Sequence, residues 1–227
     1  MLREFFSKSA GNINPVINGH ILEKLTAVNI IIDDELKWIS HIEQKKLIKY
    51  TSIFYKLRDK LPVRILKDIY YAFVHPHILY GIEIYANTKP SYLDKLIKLN
   101  NKLLRILQHK PTTTPLSQLY KSYDTLLVPS LHKQQLLLFA HKFIYHPHLL
   151  PETFINNKFF TFNKDFHNYE TRSKANIHLY QSSTMSGLRT IKHKVAVLWN
   201  ELPPSIQNIK SLSMFKSHLK TYLQSLQ

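Results

Sequence analysis

The rhythm of hydrophobic and polar positions changes along this chain. Near the N-terminus, Val16-Ile17 and Ile21-Leu22 flank Asn18-Gly19. Asn-Gly suits the two positive-φ positions of a type I′ turn, so the pattern predicts a β-hairpin. Val28–Ile32 is a second β-branched run, closed by Asp33-Asp34-Glu35. After Trp38 the spacing becomes helical. Ile42, Tyr50, Ile53, Phe54 and Leu57 form one expected face, with Lys45, Lys49 and Lys56 on the opposite flank. Pro62 opens a second helix through Ile65, Leu66, Ile69, Tyr70 and Phe73, which Pro76 breaks or kinks because proline has no N–H to donate. Residues 77–89 read as aromatic and irregular, with a turn at Gly81.

The strongest helical pattern spans 91–108. Ser91 is the expected N-cap, with Asp94 in a capping-box position. Leu93, Leu96, Ile97, Leu103, Leu104 and Leu107 make its apolar face, and Lys95, Lys98, Lys102 and Arg105 project together from the other side. Residues 110–115 hold two prolines and no apolar side chain, which marks a linker. Beyond it, helices are expected over 130–145, 187–200 and 211–226. Residues 152–186 have no clean period and read as loop with short strands. The fold expected is mainly α. A β-hairpin with short strands covers 1–36, a helical bundle 37–110, and a second, basic helical domain 111–227.

Charge adds a partner to that picture. The 227 residues carry a formal net charge of +16, from 31 Lys+Arg and 15 Asp+Glu. Residues 101–227 hold 16 of the basic groups and only 5 of the acidic ones. Hydrophobic residues make up 44% and aromatics 12%, which separates the chain from a disordered polybasic tail. A folded domain this basic implies a polyanionic partner, and nucleic acid is the expected one. Phosphate contacts fall to the lysine flanks Lys45, Lys49 and Lys56, to Lys95, Lys98, Lys102 and Arg105, and to Arg172, Arg189 and Lys192. Nearby aromatics, among them Tyr50, Tyr55, Tyr92, Phe159, Phe160, Phe162 and Tyr169, are candidate stacking surfaces.

Composition also excludes chemistry. With no Cys there is no disulfide, thiol nucleophile or Cys-ligated metal. Four glycines and no phosphate-loop motif leave no nucleotide cradle. No apolar run reaches the ~20 residues of a membrane span, and residues 1–10 lack the apolar core of a signal peptide. The expectation is an intracellular, nuclear or cytoplasmic protein, neither secreted nor membrane-bound. Asp33-Asp34 reads as a solvated turn, because a two-metal site needs further converging carboxylates. The triplets His75-Pro76-His77 and His146-Pro147-His148 lack neighbouring carboxylate or Cys ligands. No Ser–His–Asp arrangement is discernible. No cofactor, metal or small-molecule substrate is expected, and the chain is not expected to be an enzyme by itself.

Several short words along the chain are more specific. VNIIIDDELKW at 28–38, followed by Ser40-His41-Ile42, is similar to "LGV-x-x-D-x-x-L-x-W" and "HI". FYKLR at 54–58 with Leu61-Pro62, then Tyr70–Gly81 around His75-Pro76-His77, resemble "LYKLR…LP" and "YYSLIxPYxxYG". Leu96–Ile106 resembles "LQKKAIRI". HNYETR at 167–172 and LWNELP at 198–203 match "HNYxTR" and "LWNxLP". In this order and spacing the chain resembles the C-terminal part of a non-LTR, LINE-type, jockey-like retrotransposon reverse transcriptase. The resemblance implies a palm remnant over 1–36, a thumb over 37–110 and a C-terminal domain over 111–227. It implies RNA or an RNA/DNA duplex as partner. The family's "YADD" aspartates, which hold Mg, would lie before Met1, so the resemblance implies a truncated, non-catalytic fragment. Where the family has the Gly of "LGV", this chain has Asn29. The alternative expectation is a helical interaction module or a poorly folded relic that self-associates through an uncovered palm/thumb face.

Overall fold

The computed structural model describes residues 16–17, 20–21, 24–27, 30–33, 38, 41–42, 47–166, 169–170 and 172–226. The chain is mainly helical. Two short antiparallel ladders precede the helices. In one, β1 (Val16–Ile17) pairs with β2 (His20–Ile21); in the other, β3 (Lys24–Ala27) pairs with β4 (Ile30–Asp33). They share no strand, and pairings this short are marginal by themselves in water, so the helices carry the fold. The expected Asn18-Gly19 turn lies outside the described residues.

Helix α1 (Ile48–Arg58) lies along α5 (Pro90–Leu107). Phe54 is buried against it, whereas Ile53, expected on the same face, is exposed. Helix α2 (Val63–Ile69) runs without a break through a π-helical turn, Tyr70–Val74, into α3 (His75–Leu79). Pro76 therefore does not end the helix. The His75 N–H reaches back five residues to the Tyr70 carbonyl, and this wider turn accommodates the donor that proline lacks. The buried stripe is Leu66, Tyr70, Val74 and Ile78; Ile65 and Phe73, expected in the core, are exposed. Gly81, at φ 70°, turns the chain into α4 (Ile82–Tyr85).

The expected Ser91 cap is also corrected. Helix α5 begins at Pro90, with Lys89 in extended conformation before it and no side-chain cap. Proline's fixed φ starts the helix, and its missing N–H costs nothing in the first turn. Residues 77–89 are more regular than expected, since α3 and α4 occupy most of them.

Beyond the 110–115 segment come α6 (Leu116–Ser122), α7 (Val128–Tyr145) and α8 (Glu152–Asn156). They are followed by α9 (Met185–Leu188), α10 (Ile191–Asn200), α11 (Pro204–Gln207) and α12 (Leu212–Ser225). Helix α7 is the central post. It is buried around most of its circumference, by α10, α12 and the α3–α4 corner, rather than along one stripe, with Pro129 and Lys133 left exposed. Its His141 ring stacks on Phe215 of α12 at 4.1 Å and donates from Nε2 to the Ile209 carbonyl at 2.7 Å.

Among the described residues the buried core is one cluster, from Trp38 through α1–α7 to Leu223 of α12. Polar ties cross the 110–115 segment as well. The Asn100 amide donates to the Tyr120 hydroxyl at 3.0 Å, which donates to Asn101 Oδ1 at 2.6 Å. The Tyr71 hydroxyl donates to the Tyr123 carbonyl at 2.7 Å. The division expected at residue 110 thus does not coincide with a gap in the core. Among the described residues no helix is long and apolar enough to cross a membrane.

Candidate nucleic-acid interface

The cationic side chains converge where α1 and α5 end. Helix α5 closes in a Schellman turn: the Lys110 N–H bonds to the Arg105 carbonyl at 3.0 Å and the His109 N–H to the Ile106 carbonyl at 3.3 Å. His109 occupies the left-handed position, at φ 52°. Its Nε2 donates to the Arg58 carbonyl at 2.9 Å, and its Nδ1 lies 3.6 Å from Asp59 Oδ1. One histidine thereby locks the C-terminal ends of the two helices side by side.

Between them opens a cleft of about 320 Å³, lined by Tyr55, Arg58, Lys102, Arg105, Ile106, Lys110 and Thr112. Four cations share it. The Arg58 guanidinium sits 4.9 Å over the Tyr55 ring, and its Nε is 3.5 Å from Asp59 Oδ2. Arg105 donates from Nη2 to the Thr114 carbonyl at 3.3 Å. The Nε atoms of both arginines are buried and make no hydrogen bond among the described residues. Asp59 is the one carboxylate in segments 55–60 and 102–112, so the cleft is strongly positive. A planar guanidinium presents parallel donors that match phosphate oxygens, and a half-exposed tyrosine ring beside it can support a sugar or base.

Of the residues expected from the sequence, Lys102 and Arg105 line this cleft. Lys98 and Lys95 precede Lys102 by four and seven residues, so they share its face of α5 and extend the positive stripe away from the cleft; both are exposed. Lys49 and Lys56 are exposed on α1, and Lys45 lies outside the described residues. Arg172, Arg189 and Lys192 lie later in the chain and do not line the cleft. Sequence reasoning missed Arg58, Lys110 and Thr112 as site residues. The linker reading of 110–115 hid Lys110, because only the left-handed turn at His109 swings it back toward α1.

Of the expected stacking aromatics Tyr55 lines the cleft, whereas the phenylalanines behave differently. Phe160 is buried, and Phe159 and Phe154 meet Phe139 of α7 edge to face, at 5.6 and 5.3 Å. They are core, not platform. The His-Pro-His triplets are likewise engaged in packing. His77 Nε2 is 3.2 Å from the Tyr50 hydroxyl, and His146 Nε2 donates to the Lys210 carbonyl at 2.8 Å. Burial, and then the nearby Lys216 and Lys220, push the His75 imidazole down to about 4. Among the described residues no three His, Asp or Glu side chains converge as metal ligands would. No known protein-family model, curated protein or solved structure matches the chain.

Proposed function

We propose that this chain is a non-catalytic fragment related to the thumb and C-terminal region of a LINE-type reverse transcriptase, and that it holds RNA or an RNA/DNA duplex by its phosphates. In this reading residues 1–36 are a palm remnant, 37–110 a thumb-like unit and 111–227 a basic C-terminal domain, acting inside the cell. The observation that carries it is the meeting of Arg58, Lys102, Arg105 and Lys110 in one cleft beside Tyr55, with Lys95 and Lys98 leading to it along α5. The ordered run of family-like words from VNIIIDDELKW to LWNELP supports the same origin. Binding is sequence-tolerant and driven by counterion release. With about four phosphates neutralised, the logarithm of the affinity falls with log salt at a slope near −3 to −4. Fluorescence anisotropy against an RNA/DNA duplex tests this. Lys102→Glu with Arg105→Glu should weaken binding at least tenfold at about 50 mM salt. No affinity of the native chain at that salt, or no effect of the pair, overturns the reading.

A second reading has its own observation. Ile48 is 72% exposed, Val63 63% and Phe73 50%, on α1, α2 and the π-helical turn. Exposed apolar side chains of this size suit a self-associating helical module. Sedimentation decides it: a concentration-independent monomer rules this reading out.

A further inference from the structure

The loops between α8 and α10 carry an aromatic ladder that neither reading above uses. The Phe166 ring stacks on His178 with centroids 4.2 Å apart and planes at 29°. The His178 ring meets Tyr180 edge-on at 4.8 Å. The Lys192 ammonium stands 4.1 Å over the Tyr180 ring. This ladder is not core. Phe166 is 48% and Tyr180 41% exposed, and because one face of Phe166 lies on His178, its open area is the outer face and rim.

The ladder is built rather than draped. Phe162 bridges Ile177, and main-chain bonds run from Asn163 N to the Asn176 carbonyl (3.0 Å) and from His178 N to the Thr161 carbonyl (2.7 Å). His178 Nδ1 is 3.0 Å from Asn163 Oδ1, and the Tyr180 and Thr161 hydroxyls are 3.0 Å apart. Asn200 of α10 clamps Ile177 from below with both ends of its amide. Beside Tyr180 lies a recess of about 390 Å³ whose polar lining is Gln181, Ser182, Ser183 and His193. Gly187 forms part of that corner: an added Cβ there would overlap the Ser182 side chain.

The electrostatics are one-sided. Segment 157–200 holds seven Lys and Arg but only two acids. Both acids are engaged: Asp165 accepts from the Phe162 N–H at 2.8 Å, and Glu170 pairs with Lys174. Exposed rings on a fixed scaffold, a cation over one ring and an excess of cations over acids are what unpaired bases require, since every base offers a π-face and brings a phosphate with it. A duplex hides those faces in its own stack. We infer that Phe166, His178 and Tyr180, with Lys192, form a base-stacking platform for single-stranded RNA. Phe166 receives one base on its outer face, and Lys192 meets the adjoining phosphate. This inference rests on the nucleic-acid reading but assigns a different strand state and a different surface from the α1–α5 cleft.

The full chain is titrated with a labelled single-stranded RNA of about 12 nucleotides and with an abasic strand of the same length. Phe166→Ala with Tyr180→Ala should weaken binding of the RNA roughly tenfold or more and leave the abasic strand unaffected. Phe166→Trp should keep RNA affinity, and its indole emission should be quenched by RNA and not by the abasic strand; this arm does not depend on the alanine variants staying folded. Unchanged RNA affinity in the double alanine variant, or an equal loss for both strands, overturns the platform. Loss of affinity for both strands in Lys102→Glu/Arg105→Glu, with the platform variants inert, leaves the cleft standing alone. No binding of either strand by the native chain removes both.

Discussion

Asn200 hydrogen-bonds both backbone groups of Ile177: the Ile177 N–H donates to Asn200 Oδ1 at 3.0 Å, and Asn200 Nδ2 donates to the Ile177 carbonyl at 2.9 Å. The two residues are 23 apart, and Ile177 is only 1% exposed. Here a side-chain amide completes a strand edge in a region with little secondary structure. Asn200→Ala leaves a buried donor and a buried acceptor without partners, at a cost of about 1–3 kcal/mol each. Asn200→Asp keeps the acceptor but sets a carboxylate oxygen against the Ile177 carbonyl, so it should not rescue the loss. Chemical denaturation measures both, and hydrogen exchange should show the loss concentrated in 161–178. An Asn200→Ala variant as stable as the native chain would contradict this role.

The Asn100–Tyr120 pair should behave as a unit with Tyr70. The Tyr70 hydroxyl donates to Asn100 Oδ1 at 3.3 Å, while the Asn100 amide donates to Tyr120. Burial, opposed by the Asn100 and Thr125 hydrogen bonds, pushes the Tyr70 hydroxyl up to about 12, so it stays neutral at any physiological pH. Asn100→Ala removes the acceptor of the Tyr70 hydroxyl and one of the two partners of the Tyr120 hydroxyl, which keeps its bond to Asn101, and should cost roughly 1–3 kcal/mol. Tyr70→Phe alone should cost about 1 kcal/mol. In a double-mutant cycle the losses should fall short of additive by at least about 0.5 kcal/mol; strict additivity would mean that no network exists.

These two asparagines mark how far the sequence could be read. The leucine periodicity of 91–107 is legible because it repeats over five turns, and it places α5 and its lysine face correctly. Asn100 falls on that apolar face and carries no periodic signal, since its burial depends on tyrosines 20 and 30 residues away. The stripe expected for α2 holds at Leu66 and Tyr70 but passes to Val74 instead of Phe73 for a related reason: the π-helical turn at 70–74 sets which residues face inward there, and period-3.6 reasoning contains no such turn. At the cleft, Lys102 and Arg105 were legible from the helix. Arg58 and Lys110 were not, because a left-handed histidine brings them together.

Acid should loosen the helical core through its histidines before carboxylate titration dominates. Burial, followed by the charges of Lys194 and Lys133, holds His132 at about 3, and His75 lies at about 4. Both folded values lie below the ordinary 6.5, so the folded state prefers the neutral ring. The associated stability is complete above about pH 6.5 and is lost as the pH falls below it, at about 1.4 kcal/mol per pH unit per histidine. Between about pH 6.5 and 5, His132→Leu should flatten this dependence by about one proton. Melts across that window test it. An identical pH slope in native and variant chains would show that His132 does not carry the effect.

Lys158 offers a gain rather than a loss. Helix α8 ends in a Schellman turn, with the Phe159 N–H bonded to the Phe154 carbonyl at 3.1 Å and the Lys158 N–H to the Ile155 carbonyl at 3.0 Å. Lys158 holds the left-handed position at φ 43°, as His109 and Asp124 do at the ends of α5 and α6. His109 repays the strain with its bond to Arg58, and Asp124 by pairing with Lys220 at 2.6 Å. The Lys158 side chain is exposed and no contact of this kind is seen for it among the described residues. A left-handed L-residue costs about 1–2 kcal/mol that glycine avoids, offset in part by glycine's greater freedom in the unfolded chain. Lys158→Gly should therefore stabilise the protein by about 0.5–1 kcal/mol, or about 1–4 °C in Tm for a chain of this size. His109→Gly, which relieves the same strain but releases Arg58, should show no such gain. Equal stabilisation by the two substitutions would mean that the His109 bond does not hold α1 to α5.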